Sequence, residues 1–306
     1  MKKIELTREL VARGFGYDEV ARLARRGELV RVRRGAYGRP EASLDDRGQY
    51  LRLIRATVAQ CSTTTVLSHQ SAAAVHGLPL WLDEISRVHL TRSAAGGGKV
   101  RHYVHLHPAA LDDSDIVVID GLLVTSLART VVDLGRAVRL VRSVPIGDAA
   151  LSRGLAPEAL SDVLHRSAGW PGIASARRAV GLLNPLSRSV GESVSRVVMV
   201  DLEVPPPVLQ FEVLNERDEE VACVDFCWPA QRTVGEFDGK IKYGRLLKPG
   251  QSVSDVLFAE KQREDAIRDL GWQVVRWVWD DLRRPDALAD RLTRAFARSA
   301  RTWRSG

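Results

Sequence analysis

The sequence predicts an α+β protein built from three successive parts: residues 1–42, a mixed middle segment 43–185, and a C-terminal α/β domain 186–306. Three observations predict it. Within the first forty residues a helical period gives way to strict alternation, with basic residues throughout. The middle mixes helical stripes with short alternating strands, and Asn184-Pro185 closes it. The last part reads helix, three extended runs, long helix, strand and final helix.

At 306 residues the chain can bury a substantial core, and its 45% hydrophobic and 27% charged residues are ordinary for a globular protein. The net charge of +7 points to anionic partners. Much of that excess is local, since residues 1–40 hold 11 Lys/Arg against 5 Asp/Glu. Cys61, Cys223 and Cys227 form neither a disulfide framework nor a zinc quartet. MKKIELTREL lacks the apolar core of a secretory leader, and no run approaches the ~20 apolar residues of a membrane span. A bacterial cytoplasmic protein with no membrane partner is therefore expected.

In the N-terminal part, Thr7 is expected to cap a short helix through Arg13, ended by Gly14-Phe15-Gly16. Asp18 is expected to cap a second helix running to about Arg26 and closed by Gly27. On that helix Val20, Leu23 and Ala24 make an inner stripe, while Arg22, Arg25 and Arg26 make a separate basic face. LVRVRRGAYG then alternates, with Leu29, Arg31 and Arg33 on one side and Val30, Val32 and Arg34 on the other. Helix, turn, helix and basic hairpin is the outline of a winged helix-turn-helix, and double-stranded DNA is the expected partner. The plainer alternative is a solvated, arginine-rich helical hairpin. The words ARLARRGELVRVRRGAYG resemble the N-terminal domain of AbiEi-family antitoxins of type IV toxin–antitoxin systems. That resemblance implies promoter binding and a cognate nucleotidyltransferase-like toxin.

In the middle, a helix from Leu44 to about Cys61 carries Leu51, Ile54 and Val58, and a second covers Ser68–His76. Strands follow at Arg87–Thr91 and Lys99–His107, joined as a hairpin by the glycine-rich loop. That GGGK run is no phosphate loop, because Val100 follows it and no helix opens there. His102, His105 and His107 lie close together, but no nearby Cys or carboxylate completes a zinc set, so strand histidines facing solvent or a backbone partner are expected. Asp120-Gly121 marks a turn before a helix in which Arg129 and Asp133, at i and i+4, suit a stabilising surface pair. LSHQSAAAVHGLPL and TSLARTVVDLG also resemble the AbiEi-type central region. Helices are expected over Val144–Arg153, Pro157–Ser167 and Ile173–Leu183.

The C-terminal part holds the chemistry. VACVDFCWPAQRTVGEFDGK contains two apolar runs flanking Pro229-Ala230-Gln231, with acidic residues where buried strands should have none. Alternation makes Glu236, Asp238 and Lys240 project together, and Asp225 stands opposite them if the runs pair as a hairpin. Carboxylates converging there suit Mg²⁺ or Mn²⁺, with the lysine positioning or deprotonating an attacking water. Asp225 with Asp238-Gly239-Lys240 resembles the signature of the PD-(D/E)XK nuclease superfamily, and VDFCWP and GEFDGK resemble its very-short-patch-repair-type branch. The pattern leaves open whether Glu236 or Asp238 is the paired acid. The resemblance implies a restriction-endonuclease-like fold, a further metal ligand at Glu192 and a site role for Arg263. Ser189-x-x-Glu192 also reads as a capping box. A basic loop with Lys242 is a second candidate DNA contact. Trp272, Trp277 and Trp279 read as core of the last strand rather than base-stacking platforms, and Cys223 as buried filler.

The sequence thus supports a DNA-binding protein with a metal-dependent deoxyribonuclease domain. The rival is an AbiEi-like autorepressor and antitoxin whose nuclease-like fold does no catalysis.

Overall fold

The computed structural model describes residues 4–41, 44–61, 65–81, 86–93, 98–239 and 253–302. The chain is mixed α and β and divides into two compact units: residues 1–139 with 153–181, and residues 140–152 with 182–306.

The first unit opens with β1 (Ile4–Leu6), α1 (Thr7–Ala12), α2 (Tyr17–Arg25), β2 (Val30–Arg33) and β3 (Ala36–Gly38). The strands form one antiparallel sheet in the order β1-β3-β2. Leu10, Val20 and Leu29 are buried together beneath it with Phe15, Leu23 and Tyr37 packed around them. Neither expected cap holds. The N-cap residues are Leu6 and Gly16 rather than Thr7 and Asp18. Glu9 Oε2 instead accepts the Leu6 N–H at 3.1 Å, so a side chain inside the helix supplies the missing acceptor.

Next come α3 (Asp46–Val58), β4 (Val66–Leu67), α4 (His69–Val75), β5 (Val88–Arg92), β6 (Lys99–Arg101), β7 (Val104–Pro108), β8 (Ile116–Ile119), β9 (Leu122–Thr125) and α5 (Leu127–Ala137). Their sheet has the order β6-β7-β5-β4-β9-β8 around a core of Tyr50, Ile54, Leu67, Val88, Leu90 and Val124. The expected hairpin between 87–91 and 99–107 is corrected here. A turn at His102-Tyr103 splits the second run, β6 pairs with β7, and β5 runs parallel to β7. At Asp120 and Gly121 φ is +49° and +75°, the backbone a two-residue hairpin turn requires.

Arg129 and Asp133 do pair, at 3.0 Å, but not at the surface. Both side chains are buried, and Arg129 also meets Asp115 at 2.7 Å.

The chain continues into α6 (Leu140–Leu151), which belongs to the second unit although the sequence groups it with the middle segment. It packs on α9 (Val190–Asp201) through a pair of the buried Asp148 with the half-buried Arg196 at 2.8 Å, and Asp148 also accepts the Asn184 N–H at 2.7 Å. Between them, α7 (Pro157–Arg166) and α8 (Ile173–Gly181) complete the first unit.

The rest of the second unit is α9 (Val190–Asp201), β10 (Val208–Leu214), β11 (Glu220–Trp228), β12 (Thr233–Phe237), α10 (Val253–Asp269), β13 (Gln273–Trp277), α11 (Trp279–Arg283) and α12 (Pro285–Thr302). Its sheet has the order β10-β11-β12-β13, antiparallel except for the parallel β12–β13 pair that α10 connects. Trp277 is buried and its Nε1 donates to Ser195 Oγ of α9 at 2.7 Å. Trp279 leaves the strand and starts α11.

Candidate functional site

The acidic side chains of the second unit meet at one end of this sheet. Register does the positioning. β11 and β12 pair as Trp228↔Thr233, Cys227↔Val234 and Phe226↔Gly235, so one further step sets Asp225 opposite Glu236. On the other side, the pairs Leu209↔Phe226 and Phe211↔Val224 bracket Gln210, which stands opposite Asp225. Gln210 has φ +50°, a left-handed conformation unusual for a side-chain-bearing residue in a strand.

Gln210 is the bracket of the site. Cys223 Sγ donates to its Oε1 at 3.7 Å, which turns Nε2 toward Glu192 Oε2 at 3.0 Å. The same side chain hydrogen-bonds Asp225, whose Oδ2 also accepts the Phe237 N–H at 2.9 Å. Cys223, which reads as buried filler, therefore orients a polar contact. A glycine makes the approach of Glu192 possible: a Cβ on Gly191 would run into the Phe237 ring. Glu192 also closes the start of α9. Ser189 Oγ accepts the Glu192 N–H at 3.2 Å, while the reciprocal bond goes to the Arg188 N–H at 2.8 Å rather than to Ser189. Both readings of Glu192, cap and neighbour of Asp225, describe one side chain.

Burial, and then the charge of Glu192, push the Asp225 carboxyl up to about 6. Among the described residues Asp225 and Glu192 have no cation at ion-pair distance. Glu236 differs. Its Oε1 takes Arg263 at 2.7 Å and its Oε2 takes Arg276 at 2.8 Å. Arg276 also holds Glu260 at 2.8 Å and Glu264 at 3.2 Å. Burial raises the Glu236 pKa against the pull of those two guanidiniums.

Among the described residues, no three of these carboxylates bring oxygens within 4.8 Å of one another. The structure thus joins Asp225 and Glu192 through one amide and holds Glu236, still within reach of the Asp225 charge, in an arginine cradle. Asp238 follows β12 directly and its N–H donates to the Trp277 carbonyl at 2.8 Å. Lys240 and Lys242 lie outside the described residues. Gln210 and Arg276 are absent from the sequence-level set. Arg276 carries a readable signal, a charge inside the apolar strand QVVRW, whereas nothing in the sequence marks Gln210.

In the first unit Arg22, Arg25, Arg26, Arg31 and Arg34 are exposed. Arg33 is not part of that surface. A register shift between Arg31 and Arg33 breaks the alternation. Its Nη1 donates to Thr57 Oγ1 at 2.6 Å and its guanidinium lies over the Tyr103 ring at 5.2 Å.

The fold and site describe a two-unit α+β protein with a polar, carboxylate-bearing sheet end. No family model matches the chain. It is 30% identical over 275 residues to the uncharacterized proteins MT2308 and Rv2248 of Mycobacterium tuberculosis, a match spanning 89% of this chain and 94% of theirs. The chain belongs to the same family as these two proteins. It is also similar to the crystal structure of the RV2827C protein from Mycobacterium tuberculosis, at 19% identity and a TM-score of 0.40 over 69% of this chain and 83% of that one. No described helix is long and apolar enough to cross a membrane.

Proposed function

We propose that the chain is a DNA-binding protein whose second unit is a magnesium-dependent deoxyribonuclease. One observation carries this reading. Of the five buried carboxylates Asp115, Asp133, Asp148, Glu192 and Glu236, only Glu192 lacks an arginine partner among the described residues. Beside it stands Asp225, itself unpaired there and pushed up to about 6. Two desolvated acids side by side are costly unless a cation joins them. Magnesium is usually held by one or two carboxylates and several waters, which this donor set suits.

Bound there, the ion would supply charge stabilisation on a phosphate and an acidified water. Asp225 and Glu192 would hold it, with Gln210 fixing both carboxylates. Arg263, paired with Glu236 but about one-third exposed, would meet a phosphate oxygen. Lys240, the sequence's candidate for orienting the attacking water, and Asp238 complete the proposed set. The βααββ order and three-stranded sheet at the N-terminus support the winged-helix reading, with Arg22, Arg25, Arg26, Arg31 and Arg34 toward duplex DNA and Lys242 as a further contact.

The arginine cradle favours a second reading. Glu236 is already neutralised by Arg263 and Arg276, as a structural acid would be. On that reading the protein is an AbiEi-like autorepressor and antitoxin, and its partner is a nucleotidyltransferase-like toxin.

Incubation of the full chain with plasmid and linear DNA, in Mg²⁺, Mn²⁺ or EDTA, separates them. Cleavage that needs metal and disappears in Asp225→Ala and Lys240→Ala supports the nuclease. Retarded DNA with no cleavage in any metal supports the repressor.

A further inference from the structure

The first unit gathers a second polar cluster, made of imidazoles. His89 lies on β5, His107 on β7, and His69 opens α4. The parallel β5–β7 ladder pairs His89 with His105 and Thr91 with His107, and Ser68 donates its N–H to the His89 carbonyl at 3.1 Å. These pairings bring one ligand nitrogen from each of His69, His89 and His107 within 4.8 Å of one another.

The geometry points to a three-histidine site for a divalent transition metal of the zinc class on His69, His89 and His107. Three further features agree with it. His89 Nδ1 and His107 Nε2 are 3.0 Å apart. Two nitrogens at 2.0–2.1 Å from one tetrahedral zinc stand about 3.3 Å apart, so the spacing matches, and the ion takes the place of the proton the two rings share.

Second, His69 has an outer partner. Its Nδ1 lies 3.0 Å from Ser68 Oγ, which already accepts from Thr91 Oγ1 at 2.7 Å and has a lone pair left for the ring N–H. That tautomer leaves Nε2 as an acceptor, the arrangement in which an outer oxygen fixes a metal-binding imidazole. Third, His69 is buried and held at φ +49°; its ring stacks on His107 at 3.8 Å, so one of the two rings turns for both in-plane lone pairs to meet an ion. A β-carbon residue in left-handed backbone at a helix start is strained, and such strain collects at functional sites.

Three neutral imidazoles suit zinc, copper, nickel or iron rather than magnesium, which prefers oxygen. With three protein ligands a fourth position stays open. Of the nearby cations, Arg129 is paired with Asp115 and Asp133 and Arg136 with Asp133, and a bound ion has to outweigh the charge of Arg87 near His89 and His105.

The test uses the full chain stripped by a chelator. Co²⁺ is titrated while visible d–d absorption is followed, and Zn²⁺ is then added in competition. One Co²⁺ per chain with the intense absorption of a four-coordinate ion is expected, displaced by Zn²⁺, with affinity at least roughly tenfold lower in each of His69→Gln, His89→Gln and His107→Gln. His102→Gln, on an exposed residue outside the cluster, and Asp225→Asn are expected to leave it unchanged. If a glutamine variant fails to fold, protection of the wild-type histidines from diethylpyrocarbonate by Zn²⁺ is the second readout. No Co²⁺ signal in the wild type, binding indifferent to all three folded variants, or binding lost in Asp225→Asn would overturn the site.

Discussion

Asp225→Asn tests the carboxylate site without asking for catalysis. In the wild type the Asp225 carboxyl sits at about 6 instead of 3.8. The folded protein therefore keeps a proton that the unfolded chain has already lost between those values. Stability contributed by that proton is present below pH ~4, falls as pH rises to ~6 and stays lost above it. At about 1.4 kcal/mol per pH unit, the gap amounts to at most about 3 kcal/mol. Partial exposure reduces that figure, and asparagine gives up a charge-assisted bond from the Phe237 N–H. Asp225→Asn should then stabilise the metal-free second unit by about 1–2 kcal/mol at pH 8, or roughly 3–6 °C in Tm, and by nothing measurable at pH 4. The assay is thermal unfolding in EDTA at both pH values, repeated with millimolar Mg²⁺. Added Mg²⁺ should raise the wild-type Tm and leave the variant where it was. A variant less stable at pH 8, or an equal gap at both pH values, would refute the argument that Asp225 is a strained, cation-seeking acid.

Glu236→Gln takes one acid from Arg263 and Arg276, which both keep Glu260, and burial already disfavours the Glu236 charge, so it should cost no more than about 1 kcal/mol by chemical denaturation; a loss above about 3 kcal/mol would show that the cradle holds the unit together. Arg129→Met removes the guanidinium shared by Asp115 and Asp133, and about 3 kcal/mol should go from the first unit. Burial lowers His89 to about 3 and His107 to about 4 from 6.5. The unfolded chain therefore takes up protons first, and metal-free stability of the first unit should fall as pH drops from ~6.5 toward ~3, read by circular dichroism; a Tm flat across that range would contradict it. Replacing Arg22, Arg25, Arg26, Arg31 and Arg34 by alanine should flatten the salt dependence of DNA affinity by up to about 0.9 per lost phosphate contact. Arg33→Ala should leave that slope alone and lower Tm, since its guanidinium holds Thr57 and Tyr103.

What the sequence reveals here follows how local the cause is. Two apolar runs around Pro229-Ala230-Gln231 announce β11 and β12, and strand alternation alone places Asp225 across from Glu236. The turn at Asp120-Gly121 is equally local, because it needs only two residues with positive φ. Alternation fails at Arg33, where one bulge turns the side chain inward without a glycine or proline to mark it. It also misplaces 99–107, since a break at His102-Tyr103 carries no breaker residue. The imidazole cluster is invisible for another reason. His105 and His107 are neighbours in sequence, but His69 and His89 reach His107 only through the β4–β5 and β5–β7 pairings. Helical periodicity likewise shows that α6 has an inner face and says nothing of which body that face meets. The pair of the buried Asp148 with Arg196 decides it.

The contrast among buried acids gives the carboxylate site its weight. Asp115, Asp133, Asp148 and Glu236 come from both units and from different elements, yet each has an arginine at 2.7–3.0 Å. The chain, with arginine as most of its 45 Lys/Arg, does not lack guanidinium to pair its acids. Among the described residues, Glu192 and Asp225 receive a neutral amide from Gln210 instead, held in left-handed backbone and aimed by a cysteine. An amide donor satisfies a lone pair without cancelling a charge. A fold that only needed to bury those two acids would do better with an arginine or with apolar side chains. Keeping the negative charge, at the expense of an uncommon backbone angle, is intelligible where something cationic has to bind.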